Sequence, residues 1–475
     1  MSAAANEPID GRAWFGAPAR AINAPSAEEA AEQLEALGDC AREADLPRLA
    51  ALAGSDTPLA AFLAGVFALS PYLRDVARRE PAILERLFDQ AADARLETLL
   101  SEIENVARGD GSTEAGLMAA LRRLKAEAHF LIALCDIAGA CDTRATVMRL
   151  SRLADVAIGA AVRFLLREAH DKGKLALPDP DDPETGSGWI LLGMGKLGAH
   201  ELNFSSDIDL IAFFDPEAPA IGDPYEATDL FSRLTRRLVR ILQDRTEHGY
   251  VFRTDLRLRP DPGSTPLAIP VEAALNYYES RGQNWERAAM IKARPVAGDR
   301  QVGERVLKEL TPYVWRKYMD YAAIADVHSI KRQIHAHKGH GEIAVRGHNV
   351  KLGRGGIREI EFFVQTQQLI AGGRFPELRG RETVAMLACL SDRGWISGEA
   401  RDTLSARYWF LRDIEHALQM MTDEQTHTLP EDDDGLERVA RLRGFASADD
   451  FSSAFRDALK DVEDHYAALF ESAPQ

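Results

Sequence analysis

Residues 191–210 read LLGMGKLGAHELNFSSDIDL, and the reading of this stretch decides the fold. An apolar run closes at Gly193, and a Gly-x-Gly-Lys-x-Gly segment carries Gly195 and Lys196. Asp207 and Asp209 then flank an isoleucine ahead of LIAFF (210–214). A Walker loop needs Gly-x-x-x-x-Gly-Lys-Ser/Thr, and a dinucleotide loop needs its acid about twenty residues on; neither spacing is present. Glycines after a strand still let backbone N–H groups approach an anion, with Lys196 adding charge. A tight strand-to-helix turn is the competing reading. Alternate residues of a strand project to one side, so Asp207 and Asp209 would repel and desolvate each other without a cation. Hard oxygen ligands in that arrangement suit Mg²⁺, which shares its shell between carboxylates and phosphates. The other possibility is that both acids lie in the turn after Ser205 and Ser206.

Working outward, WILLG (189–193), DIDLIAFFD (207–215) and YVFRTDLRLR (250–259) read as strands. Between the last two, Leu230, Leu234, Leu238, Ile241 and Leu242 form the apolar stripe of a helix. In the third strand, strict alternation puts Arg253, Asp255, Arg257 and Arg259 on one face, and Phe252, Thr254, Leu256 and Leu258 on the other. An acid flanked by arginines suits an ion held beside phosphate oxygens; a solvated face with salt bridges is the alternative. Three acids on adjacent strands behind a glycine-serine loop make the pattern of a nucleotidyltransferase. In that chemistry two metals about 4 Å apart stabilise the attacking and leaving oxygens of a displacement at phosphorus.

The rest of the chain is helical in texture. Apolar residues recur at helical spacing in AAFLAGVFALSPYLRDVARRE (60–80) and AGLMAALRRLKAEAHFLIALCDIAG (115–139). The proline-rich break LPDPDDPETGSG (177–188) separates this region from the α/β unit, and helix returns beyond ARPVAGD (293–299). The expected fold is α+β and mainly helical. An N-terminal helical region (1–180) and a C-terminal helical bundle (301–475) flank a small nucleotidyltransferase-type catalytic unit (181–300).

The net charge of −17 disfavours a non-specific nucleic-acid binder, which needs a basic face. Four scattered cysteines form no Cys-x-x-Cys pair and fit a reducing compartment. No apolar run approaches the ~18 residues of a membrane span, and the N-terminus lacks signal-peptide character; the expectation is a soluble, cytoplasmic protein.

Two further clusters carry charge. In KLGRGGIREIEFFVQ (351–365), Arg358, Glu361 and Gln365 share one helix face, while Glu359 sits in the first turn, where capping alone accounts for an acid. NWERAAMIKARPVAGD (284–299) offers Lys292 and Arg294 as phosphate contacts, against the plainer reading of solvated cations. The histidines of 334–348 match no zinc spacing.

These segments together resemble the bifunctional glutamine synthetase adenylyltransferase/adenylyl-removing enzyme family. The likeness rests on GMGKLGAHELNFSSDIDLI, FRTDLRLRPDPGSTPL, ARPVAGD, KLGRGGIREIEFFVQ and IEHALQMMTDEQTHTLP, spanning roughly 185–430. Members carry two similar catalytic halves. GGIREIEF is similar to the N-terminal, adenylyl-removing version, whereas the C-terminal version typically has Asp in place of Glu359. The resemblance implies one half of a protein about twice as long, acting with its adenylylating half and a PII signal protein. The implied reaction is removal of AMP from a modified tyrosine of adenylylated glutamine synthetase by phosphate attack, yielding ADP. Asp207, Asp209 and Asp255 would hold Mg²⁺, with Asp255 alternatively activating the phosphate. Gly193, Gly195, Ser205 and Ser206 would cradle phosphate groups with Lys196 and Arg257, and Lys292, Arg294, Glu359 and Glu361 are further nucleotide-site candidates. The alternatives are ATP-dependent adenylylation and a non-catalytic regulatory module.

Overall fold

The computed structural model describes residues 10–107, 113–316 and 344–471. Five strands form one mixed sheet: β1 Trp189–Gly193, β2 Ile208–Phe214, β3 Thr254–Asp255, β4 Ala268–Pro270 and β5 Arg294–Gly298. Their order is β3-β2-β1-β5, with β4 pairing β2 farther along the same edge as β3. β1 runs antiparallel to β2 and β5, whereas β3 and β4 run parallel to β2. The Pro224–Gln243 helix provides the crossover that parallel pairing requires.

WILLG and LIAFF are apolar at every position because both sheet faces are covered. Trp189, Leu191, Leu210, Ala212 and Phe214 join a core shared with the N-terminal and C-terminal helices. Ile190, Leu192, Ile211 and Phe213 turn the other way and pack with Ala274, Met290 and Val306. Period-two geometry thus survives although the sequence shows no alternation.

The third predicted strand is overturned over most of its length. Only Thr254–Asp255 pairs, and the arginines do not share a face. Arg253 donates to Tyr250 Oη at 2.8 Å and to the Ser205 carbonyl, Arg257 folds back on Asp255, and Arg259 donates to the Leu256 and Pro262 carbonyls. The physical reason is local: the Arg257 N–H donates to Asp255 Oδ1 at 2.7 Å, an Asx-type turn that competes with the ladder. Pro260 and Pro262 then prevent extension of the strand.

The C-terminal helices close over the sheet loops. The long Gly398–Thr422 helix meets the Ser70–Pro71 helix junction, where Ser70 Oγ donates to the Met420 carbonyl at 2.7 Å. Buried Arg412 donates to the Glu201 carbonyl at 2.6 Å, and buried Arg443 pairs with Asp136 at 2.7 Å. Each link joins segments far apart in sequence, so N-terminal helices, sheet and C-terminal helices share one core. Among the described residues no single helix is long and apolar enough to cross a membrane. His335, His337 and His340 of the histidine-rich segment lie outside the described residues.

Candidate active site

β2 starts at Ile208, so Asp207 stands in the turn before the strand and Asp209 within it. The parallel ladder sets Asp209 directly opposite Asp255. The β1 end supplies the third element: Gly195 has φ +51°, and a Cβ built there would meet Asp209 Oδ2 at 2.9 Å. The glycine is therefore needed for its left-handed backbone and for its bare α-carbon against the carboxylate. Burial first, and then the charges of Asp207 and Asp255, push the Asp209 carboxyl up to about 7. Burial opposes charge on Asp255 too, but hydrogen bonds from the Arg257 side chain and backbone outweigh it and hold this carboxyl low. Asp207 Oδ1 accepts from Gln425 Nε2 at 2.7 Å.

Behind Asp209 lies a cavity of about 350 Å³ between the sheet loops, the Asn284–Met290 helix and the Ile357–Ala371 helix. Gly195, Lys196, Lys292, Lys351, Arg358 and Glu361 line its charged part. Lys196 Nζ lies 3.1 Å from Glu415 Oε1, and burial drives it down to about 7 despite that carboxylate. Glu415 itself is held well below the usual range: burial opposes its charge, but Lys196, the His427 ring 2.7 Å away and Arg412 at 3.1 Å outweigh it. Lys351 has no ion pair among the described residues. On the opposite side of β3, Asp207, Asp255, Arg236, Arg257 and Gln425 border an open groove. The acids thus stand between a half-open cavity and a more open groove.

The remaining sequence candidates separate into two groups. Lys292 reaches the cavity wall, but its buried Nζ is bound by Glu201 at 3.1 Å and Glu361 at 3.6 Å. Burial alone would raise Glu361, yet Lys292 and Arg358, with Lys196 and Lys351, hold it at about 2. Lys292 and Glu361 therefore brace the wall as a pair. Arg294 is not in the cavity; it grips Asp155 through two bonds of 2.9 and 3.0 Å and the Leu197 carbonyl at 3.1 Å. Gly193 is a packing glycine, since a Cβ there would fall 2.6 Å from Val296. Ser205 is buried and tied down, its Oγ donating to Asp423 Oδ1 at 2.6 Å and its N–H to Gln419 Oε1 at 3.1 Å. Ser206, half-buried, precedes Asp207 in the same turn. Glu359 accepts the Gly355 N–H at 3.1 Å and so frames the loop before its helix, as the capping reading expects.

The arrangement meets the donor chemistry of a divalent cation only in part. Three carboxylates gather where two strands end, and the depressed acidity of Asp209 is a burden that a cation would relieve. As they stand, Asp255 turns to Arg257 and Asp207 to Gln425. Among the described residues no three His, Cys, Asp or Glu side chains converge closely enough to hold an ion. Ion binding at all three therefore requires the Asp255–Arg257 pair to open.

The family model for glutamate-ammonia ligase adenylyltransferase matches residues 60–309, just over half of the chain and all five strands. The chain belongs to this family. A second model, GlnD PII-uridylyltransferase, matches residues 328–470. Among relatives named bifunctional glutamine synthetase adenylyltransferase/adenylyl-removing enzyme, that of Mesorhizobium japonicum is 68% identical over 462 residues, covering 97% of this chain and 47% of its own. The Brucella melitensis relative is 64% identical, covering 94% and 46%, and the Rhizobium meliloti relative 58% identical, covering 95% and 46%. The chain spans about half the length of these relatives.

Sequence reasoning alone did not single out Lys351, Gln425, Glu415 or the cavity's apolar wall. Lys351, Gln425 and Glu415 lie inside the family segments KLGRGG and IEHALQMMTDEQTHTLP, so a signal existed. What it lacked was the knowledge that the C-terminal helices fold back onto the sheet.

Proposed function

We propose that this chain removes AMP from an adenylylated tyrosine of glutamine synthetase by phosphorolysis. A phosphate oxygen forms the new bond to phosphorus, the bond to the tyrosyl oxygen breaks, and the tyrosinate takes up a proton as ADP leaves. The carrying observation is the placement of Asp209 opposite Asp255, with Asp207 alongside, at the edge of a cation-lined cavity. Two anions must meet in this reaction, and Lys196, Lys351 and Arg358 offset their repulsion. Asp207, Asp209 and Asp255 would hold Mg²⁺, which when bound neutralises charge on the transferring phosphoryl group. The Gly195 backbone keeps the approach to Asp209 clear, and the open groove beside β3 admits the protein-borne tyrosine.

The removing direction rests on Glu359, the residue that marks the N-terminal version of the family motif. Adenylylated glutamine synthetase is the proposed partner, together with the adenylylating half of a longer protein. The match to GlnD PII-uridylyltransferase supports a PII signal protein as a regulator. A cytoplasmic setting follows from these partners.

Incubation with adenylylated glutamine synthetase, Mg²⁺ and phosphate is the test. Wild-type protein releases ADP and Asp209→Asn does not. AMP release would mark hydrolysis, and incorporation of label from ATP would mark the forward reaction. A chain that does none of these is a regulatory module.

A further inference from the structure

The turn that carries Asp207 is held from two sides by groups with no part in the chemistry. On one side stands the C-terminal end of the Gly398–Thr422 helix. Gln419 Oε1 accepts the Ser205 N–H at 3.1 Å, Asp423 Oδ1 accepts from Ser205 Oγ at 2.6 Å, and Gln425 Nε2 donates to Asp207 Oδ1 at 2.7 Å. On the other side His129 Nε2 lies 3.0 Å from the Phe204 carbonyl, and its Nδ1 lies 3.1 Å from Tyr72 Oη. A carbonyl can only accept, so Nε2 carries the proton. Burial, and then Lys125, drive this ring down to about 3, which leaves Nδ1 free to accept from the tyrosine. Phe204, Ser205 and Asp207 are thus all fixed by partners from other elements.

Asp423 is the centre of this clamp. It caps its helix at φ +53°, a left-handed conformation uncommon for a residue with a side chain, though aspartate and asparagine tolerate it. Its second oxygen accepts from Tyr250 Oη at 3.1 Å. Tyr250 in turn accepts from Arg253 at 2.8 Å, and the buried Lys125 ammonium stands 4.9 Å from its ring. Arg253 also donates to the Ser205 carbonyl, and its own carbonyl accepts the Ile208 N–H at 2.8 Å. One carboxylate therefore joins the turn before β2 to the segment that enters β3. Asp207 lies two residues beyond Ser205, and Asp255 two residues beyond Arg253.

We propose that Asp423 is a positioning residue: through Ser205 and Tyr250 it sets the turn of Asp207 against the start of β3, and so presets Asp207 and Asp255 for a shared cation. The inference rests on the Mg²⁺ reading of those acids and adds to it a residue that is no ligand. Three separate segments meet at this carboxylate, and without it the two acids lose their common reference. The unusual backbone of Asp423 fits that role, because a strained cap persists where the surrounding contacts require it.

The test measures Mg²⁺ binding by titration calorimetry, without substrate. Asp423→Gly keeps the left-handed cap and deletes the carboxylate, whereas Asp423→Asn keeps the cap and an oxygen that accepts from Ser205. The glycine variant binds Mg²⁺ about tenfold more weakly and the asparagine variant within about threefold of wild type, the scale of outer groups that orient metal ligands. The Mg²⁺ requirement for ADP release rises in the same proportion in Asp423→Gly, while kcat at saturating Mg²⁺ stays near wild type. Ser205→Ala removes the other end of the bond, leaves the cap untouched and shifts Mg²⁺ affinity in the same direction. Arg443→Met breaks the buried pair with Asp136 and lowers the melting temperature, but its Mg²⁺ affinity is that of wild type. Wild-type Mg²⁺ affinity in Asp423→Gly or Ser205→Ala, or an equal loss in Arg443→Met, overturns the positioning role alone. A wild-type protein that binds no Mg²⁺ overturns this role and the metal reading together.

Discussion

Replacing Lys292 by methionine separates a bracing residue from a phosphate-binding one. The ammonium group lies 3.1 Å from Glu201 and 3.6 Å from Glu361, with all three side chains buried. At an effective dielectric of about 20, each contact is worth roughly 5 kcal/mol of attraction, offset by the cost of removing three charges from water. Methionine matches the unbranched stem and leaves both carboxylates without their cation. Breaking a buried pair from one side costs about 3–5 kcal/mol, less whatever the Thr383 N–H at 2.9 Å from Glu201 and Arg358 at 3.5 Å from Glu361 retain. Urea unfolding at pH 7 is expected to show that loss. The deficit must also depend on pH. In the wild type Glu361 is held at about 2 against an ordinary 4.5, so its stabilising effect is complete above pH 4.5 and fades as pH falls toward 2. Without Lys292 the same buried carboxyl takes up a proton at higher pH, so wild type and variant converge as pH falls from 7. A variant that unfolds at the wild-type urea concentration at pH 7 but loses affinity for phosphate would refute this reasoning. Lys292 would then be the site's free cation.

Three other outcomes follow from the geometry. In metal-free buffer Asp209→Asn is more stable than wild type at pH 8 and equal to it near pH 4. The folded protein holds a proton on Asp209 up to about 7 and the unfolded chain only to about 3.8, so wild-type stability falls across that window. The full difference corresponds to about 4 kcal/mol, or about 2 after partial solvent screening; a pH-independent gap in thermal melting would contradict it. Gly195→Ala must place a methyl group against Asp209 Oδ2 at φ +51°. It retains the fold but turns over roughly 100-fold more slowly, a misplacement effect read by steady-state kinetics, and near-wild-type turnover would remove Gly195 from the site. Arg294→Met loses its two-bond grip on Asp155 and destabilises by about 3 kcal/mol in urea unfolding. Its KM for phosphate stays unchanged, and a raised KM would return Arg294 to the phosphate site.

The parts of the fold legible in the sequence were those fixed by burial. β1 and β2 read as strands because WILL (189–192) and LIAFF (210–214) are apolar at every position between glycine- or acid-marked ends, and the crossover helix shows its stripe from Leu230 to Leu242. Asp209 opposite Asp255 was legible because a nucleotidyltransferase pattern demands acids on neighbouring strands. The arginine row failed because alternation is blind to an aspartate that caps its own turn. The ion pairs of Arg294 and Lys292 were not legible because their partners Asp155, Glu201 and Glu361 lie up to 139 residues away, and only folding brings them together. The same distance hid Gln425 beside Asp207, 218 residues apart.

The central claim is that phosphate, and not water, accepts the AMP group. Its most direct measurement supplies ³²P-labelled phosphate with adenylylated glutamine synthetase and Mg²⁺ and follows the label. The account predicts that the label appears in the β-phosphate of ADP, in step with the loss of AMP from the tyrosine, and that Asp209→Asn abolishes both. Release of unlabelled AMP with the ³²P left in free phosphate would contradict it.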